Sequence, residues 1–170
     1  MKRLLPFLLV IVAFIWFSSC EKDDICVEGD TPLLVLGFYD INDTLVEKVV
    51  PSLRIKEVQQ DTILNTFTDR SSALDSIGMP LRLSVESTSF AFINNSATDS
   101  DTQLETGNID TLTFNYTVNE KYISRACGYV ANFNELDTVR QVFTSDWIKR
   151  ITILKSDIEN SNAIHVKIFH

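Results

Sequence analysis

Residues 111–118 alternate without a break: Leu112, Phe114, Tyr116 and Val118 are apolar, and Thr111, Thr113, Asn115 and Thr117 between them are polar. A period of two sends successive side chains to opposite faces, which suits a strand with one buried face and no helix. The pattern recurs. Pro51 opens Leu53 and Ile55 against Arg54 and Lys56, and Pro80 opens Leu81, Leu83 and Val85 against Arg82, Ser84 and Glu86, with Phe90 and Phe92 continuing the alternation. Leu33–Tyr39, opened by Thr31-Pro32, is almost wholly apolar, as expected of a strand covered on both faces. Asn119-Glu120-Lys121 reads as a short turn into Tyr122–Phe133, and Trp147–Lys155 pairs with Ala163–Phe169 across Glu159-Asn160-Ser161-Asn162. The polar run Asn94–Asn108 reads as an exposed loop, and Asn134–Thr144 is compatible with a short helix.

No stretch carries a sustained 3.6-residue stripe, and no internal repeat is visible. About eight strands with polar turns predict an all-β fold, an antiparallel β-sandwich of immunoglobulin-like type, with an up-and-down β-barrel as the alternative. With 170 residues, 45% of them hydrophobic, the chain can bury one ordinary core. We therefore assign residues 31–170 to a single domain.

The N-terminus reads as an address. Lys2 and Arg3 precede Leu4–Phe17, fourteen residues without a charge, which as a helix would reach about 21 Å against a hydrocarbon core of ~30 Å. That length fits the apolar region of a signal peptide, residues 1–19, better than a permanent span. Phe17-Ser18-Ser19-Cys20 resembles the lipobox of bacterial lipoproteins, in which small residues precede a cysteine that is acylated and becomes the mature N-terminus. Phe17 stands where leucine is usual, and an ordinary secretory signal is the alternative. Residues 20–30 then form a lipidated N-terminus and acidic tether. Within it, Lys22, Asp23 and Asp24 resemble the tag that sends Bacteroidota lipoproteins to the outer face of the outer membrane, the other reading being a solvated linker facing the periplasm.

The charge of −8, from 15 basic and 23 acidic residues, argues against nucleic-acid binding. Without residues 1–19, the remaining 13 basic and 23 acidic residues leave −10. An acidic body is repelled by anionic headgroups, so acyl chains must supply the attachment. If lipid consumes Cys20, Cys26 and Cys127 remain as an even pair in an oxidising compartment. Bridging them closes a loop of about 100 residues, for which the chain-entropy model gives roughly 4–5 kcal/mol. The competing reading, a reactive Cys127 thiolate, has Arg125 nearby in sequence but no histidine.

Several spaced segments carry a resemblance over the mature chain. They are Cys20-Glu21-Lys22-Asp23-Asp24-Ile25-Cys26, Thr31-Pro32, Phe38-Tyr39-Asp40, Asp110–Tyr116, Ser124–Tyr129 and His165–Phe169. Together they are similar to an uncharacterised family of small Bacteroidota lipoproteins, a domain-of-unknown-function family. The resemblance implies lineage and a lipid anchor; it brings no activity.

The residues that carry chemistry are sparse. There is no Gly-x-Ser-x-Gly elbow and no glycine-rich phosphate cradle, so no catalytic residue, cofactor or metal site is assigned. His165 and His170 are five positions apart, which puts them on opposite faces of one strand, and His170 as the terminal residue should fray. Asp99-Ser100-Asp101 begins like a calcium loop, but Leu104 stands where the turn glycine belongs and Asp110 where the bidentate glutamate belongs. Arg125 is read as a buried ion-pair partner or a ligand clamp. Tyr116, Tyr122, Tyr129 and Trp147 are read as core or as a glycan platform. Five Asp-Ser/Thr-apolar triplets place candidate O-glycosylation acceptors at Thr44, Thr62, Ser76, Thr111 and Thr138, although the same triplet also marks a turn entering a strand. The functional expectation is a lipid-anchored, non-catalytic binding or assembly module of the outer membrane, displayed at the cell surface. Its partner is the membrane through the anchor, plus an envelope protein or a glycan. A glycan-binding module and a cryptic hydrolase are the alternatives.

Overall fold

The computed structural model describes Cys26, residues 30–141 and residues 146–170. Cys20, Lys22, Asp23, Asp24 and residues 1–19, expected to be a signal peptide, lie outside the described residues.

Among the described residues, nine strands form two open sheets: β1 (Leu34–Tyr39), β2 (Arg54–Glu57), β3 (Thr62–Ile63), β4 (Ser76–Met79), β5 (Ser87–Thr98), β6 (Glu105–Ser124), β7 (Gly128–Gln141), β8 (Arg150–Ile153) and β9 (Val166–Phe169). One sheet has the order β4-β1-β9-β8 and the other β3-β2-β5-β6-β7. Neither closes on itself, so the fold is a sandwich and not a barrel. A single apolar cluster takes Leu34, Leu36, Phe38 and Ile168 from the first sheet and Ile55, Phe90, Phe92, Phe114 and Phe133 from the second. The alternation at 111–118 is the direct imprint of this: Leu112, Phe114 and Tyr116 are buried while their polar neighbours face outward.

Several sequence expectations need correction. The pairing is antiparallel throughout except between β1 and β9, which run parallel with Leu36 opposite Val166 and Phe38 opposite Ile168. A parallel pair requires a long crossover, and here the whole second sheet supplies it. Leu81–Glu86 alternates like a strand but is irregular, because side chains satisfy its backbone: Thr88 Oγ1 accepts from Arg82 N (3.2 Å), and Arg82 O accepts from Tyr116 OH (2.8 Å). Asn94–Asn108 is not a loop. β5 and β6 stay paired to Thr98 and Glu105, with a bulge between Asn94 and Ala97, leaving only 99–104 as the turn. Asn119–Lys121 is not a turn either, since β6 continues to Ser124 and reverses at Arg125–Cys127. Gly128, at φ 69°, provides the left-handed residue there. The segment from Asn134 to Gln141 is strand β7 and not helix; 142–145 lie outside the described residues.

The β6–β7 hairpin therefore outruns the core. Val118 and Phe133 pack against it, whereas Glu120, Tyr122 and Tyr129 farther along are exposed.

Candidate functional site

The overhanging hairpin makes one wall of a cleft of about 510 Å³. Lys121, Ile123, Val130 and Asn132 contribute from the hairpin, Asp30–Pro32 from the segment entering β1, and Glu159–Asn162 from the turn before β9. Each wall has a local cause. Cys26 and Cys127 are disulfide-bonded with their Cα atoms 4.9 Å apart, so the entering segment is strapped to the hairpin tip. Leu33 N donates to Ser161 Oγ (2.8 Å), which ties that segment to the turn. Asn162 N donates to Asn160 Oδ1 (3.1 Å), an Asx turn that fixes the turn itself. The cleft lining mixes carboxamides, carboxylates, the hydroxyls of Thr31 and Ser161 and the Lys121 amine with the apolar side chains of Pro32, Ile123 and Val130.

A second recess of about 260 Å³ shares Glu159 and Asn160 and adds Lys155, Asp157 and His165. His165 is buried, and burial holds its imidazole below the usual range, with Lys155 nearby pushing the same way. Its Nδ1 accepts from Val35 N (3.0 Å), so the neutral ring carries its proton on Nε2. Its backbone also bonds Val35 O and accepts from Leu154 N and Lys155 N. This histidine is a strut between β1 and the end of β8.

His170 does not fray. Its backbone N donates to Tyr39 O, its O accepts from Ile41 N and from Lys48 Nζ (3.0 Å), and its ring Nε2 lies 3.1 Å from Lys48 O. The ring sits edge-on to Phe38 and Trp147. Burial again lowers its pKa.

The four aromatics do not assemble into one platform. Tyr116 is buried, with its hydroxyl 2.6 Å from Thr88 Oγ1, and Trp147 is buried with its indole N–H on Phe92 O (3.2 Å). Tyr122 and Tyr129 are 52% and 68% exposed and meet edge-to-face at 5.3 Å. They are paired opposite each other, one position from the Lys121–Val130 pair that lines the cleft, so they occupy the other face of the hairpin.

Arg125, expected to be buried or clamping, is exposed in the hairpin turn. Asp99 spends its carboxylate on its own turn: Oδ1 accepts from Thr102 N (2.7 Å), Thr102 Oγ1 (2.8 Å) and Asp101 N (3.0 Å), and these bonds hold it below the usual carboxylate range. Among the described residues no cluster of three or more His, Cys, Asp or Glu is placed to hold a metal ion. The candidate acceptor hydroxyls separate by exposure. Thr62 and Ser76 are exposed on the edge strands β3 and β4, Thr44 is half-buried in a loop, Thr111 lies in an interior strand, and Thr138 Oγ1 is buried without a partner.

One buried site escaped the sequence. Asp110 is fully buried on β6; its Oδ2 accepts from Ile148 N (2.7 Å), its Oδ1 is buried without a hydrogen-bond partner, and the Asp146 carboxyl acts on it electrostatically. Arg140 approaches Asp146 at 3.9 Å and donates to Ile148 O. Desolvation raises the Asp110 pKa, the Ile148 amide opposes that, and the Asp146 charge adds to it. The pair clips residues 146–148 onto the second sheet. Asp110 opens a triplet that reads equally as a turn, and nothing in sequence links it to Asp146.

Fold and site together define an all-β sandwich whose longest hairpin, strapped to the incoming chain by a disulfide, overhangs a polar cleft. The chain belongs to a family of unknown function, DUF6452, whose model matches residues 52–170. The match begins after β1 and Cys26, yet β1 sits inside the first sheet between β4 and β9, so the structural unit starts upstream of it. No curated protein and no solved structure matches the chain.

Proposed function

We propose that this chain is a lipid-anchored outer-membrane protein of Bacteroidota type, acylated at Cys20 and displayed at the cell surface, that serves as a non-catalytic binding or assembly module. The cleft between the hairpin and the 159–162 turn is its recognition site. The observation that carries this reading is the construction of that cleft: three separate segments are tied together by a disulfide and side-chain hydrogen bonds around amide, carboxylate and hydroxyl groups. Preorganised groups of this kind favour binding because little ordering remains to be done when the partner arrives. The disulfide also supports an oxidising compartment, and the apolar leader with Ser18-Ser19-Cys20 supports export and acylation.

Photo-crosslinking in intact cells tests it. A crosslinker at Lys121 or Asn160 should capture one discrete envelope partner, and a crosslinker at Ala91, on the outer face of the second sheet, should not. Identical capture from all three positions, or none, refutes the cleft as the site. Protease applied to intact cells tests display separately, because a periplasm-facing chain survives it.

A glycan is the second reading. The carboxamides of Asn132 and Asn160 offer planar donor and acceptor pairs, and the carboxylates of Asp30 and Glu159 offer acceptors, a set suited to neighbouring hydroxyls. A crosslinked adduct that shrinks on periodate treatment selects this reading over a protein partner.

A further inference from the structure

We propose that the tip of the β6–β7 hairpin docks against the bilayer interface, with Tyr122 and Tyr129 as its contact residues. The inference rests on the proposed acyl anchor at Cys20.

Cys20 and Cys26 are six residues apart, which fully extended span at most about 22 Å. Cys26 is bonded to Cys127 with 4.9 Å between Cα atoms, so the hairpin tip stays within about 27 Å of the acylated residue. β6 then leads away from the tip for 20 residues, about 60 Å at strand rise. The turn at 99–104 is therefore held far from the anchor while residues 124–128 are held near it. The disulfide, and not the tether alone, sets this orientation.

The tip also has a composition suited to a headgroup layer. Residues 121–130 read Lys-Tyr-Ile-Ser-Arg-Ala-Cys-Gly-Tyr-Val, with two cations and no acid, in a chain whose overall charge is −8. Arg125 is exposed in the turn itself, whereas Lys121 is exposed on the cleft face of the hairpin, opposite the tyrosines. Of the four tyrosines, Tyr39 and Tyr116 are buried in the sandwich, and the two exposed ones meet at this tip. An amphipathic ring that keeps its hydroxyl wet suits the headgroup layer, and cations suit anionic headgroups. Elsewhere the acidic body is repelled by such a surface. The edge-to-face geometry of the pair also leaves no shared flat face on which a sugar ring could stack.

The test uses the mature, acylated full chain in vesicles of phosphatidylethanolamine and phosphatidylglycerol bearing brominated acyl chains. Tyr129→Trp reports on the tip, and Leu104→Trp, equally exposed in the opposite turn, is the control. Trp147 is buried and gives a constant background. Both substitutions are at exposed positions and leave the core intact. The tip tryptophan should be quenched several-fold more strongly than the control and should emit at shorter wavelength when bound. Equal quenching of the two on floating, acylated protein overturns the docking and leaves the anchor standing. Absence of acyl mass on chain purified from its native host overturns the anchor and the docking together.

Discussion

Replacing Cys127 with alanine removes the one covalent link between the entering segment and the hairpin. The bridged residues are 101 apart in sequence, so the closed loop removes roughly 16 cal/mol/K from the unfolded chain, about 4.7 kcal/mol at 25 °C. Part of that is returned in the variant, because the chain ahead of Asp30 regains freedom in the folded state as well. Pro32 is buried and Leu33 stays bonded to Ser161, so the gain stops at the mouth of the cleft. The net loss should be about 2–4 kcal/mol. Equilibrium urea unfolding measures it, on protein carrying Cys20→Ser so that no third thiol can exchange. At a slope of about 2 kcal/mol per molar, the midpoint should fall by about 1–2 M. Cys26→Ala should cost the same, and the double variant should cost no more than either single one, because all three remove one bond. Two single variants whose losses differ, or add, would refute the account, as would an unchanged midpoint on reduction of the parent protein.

Two further outcomes follow from buried and exposed side chains. Asp110, with its pKa raised by burial, binds a proton in the folded state over a range where the unfolded chain has lost it, so this carboxyl's contribution is full below the unfolded value and declines as pH rises through the folded one. Asp110→Asn keeps an acceptor for Ile148 N without the charge. It should unfold at equal or higher temperature at neutral pH, with a flatter dependence in melts from about pH 4 to about pH 8, and an unchanged slope would count against the pair. If the Asp-Ser/Thr triplets are glycosylated, peptide mapping of protein from the native host should find sugar on Ser76 and Thr62, which are exposed on edge strands, and none on Thr138, whose hydroxyl is buried. A mass equal to the lipidated polypeptide alone removes the modification.

What the sequence displayed depended on where each strand lies relative to the core. Residues 111–118 are legible because one face meets Phe90 and Phe133 and the other meets solvent, so hydropathy copies the geometry. The same strand is illegible at both ends, 105–109 and 119–124, because there the hairpins outrun the sandwich and no buried face imposes an apolar period. Polar composition at Asn94–Asn108 and Asn119–Lys121 therefore imitates a loop. Leu81–Val85 fails in the opposite sense: the period is present, but the Thr88 and Tyr116 hydroxyls take the backbone groups a strand would need. The pairing of Cys26 with Cys127 was legible only on the expectation that acylation takes Cys20, since three free cysteines would allow three pairings and the two that remain allow one. The cleft had no such shortcut. Its walls come from 30–32, 121–132 and 159–162, and only the strap and the hairpin coil bring them together.

Under the anchoring we propose, the position of the strap also explains how the body can begin with an interior strand. β1 has six residues and lies between β4 and β9, and its parallel partnership with β9 joins the first strand of the body to the last. That pairing cannot form until the chain has been made through Phe169, which is why the terminal His170 is held by four contacts around Tyr39, Ile41 and Lys48. In the anchored protein that we propose, any pull from the membrane would otherwise arrive at the free end of β1, where the first sheet depends on it. The Cys26–Cys127 bond lies upstream of that point and diverts the load to the tip of β6–β7. That hairpin is paired from Thr111–Gln141 to Ser124–Gly128, interrupted only by local bulges, and it shares β6 with the 12-residue β5 on its other side. In that proposed arrangement, the overhang that the core does not need lets a pull from the anchor act on the most extensively paired part of the fold, leaving β1 and β9 to close the sandwich unloaded.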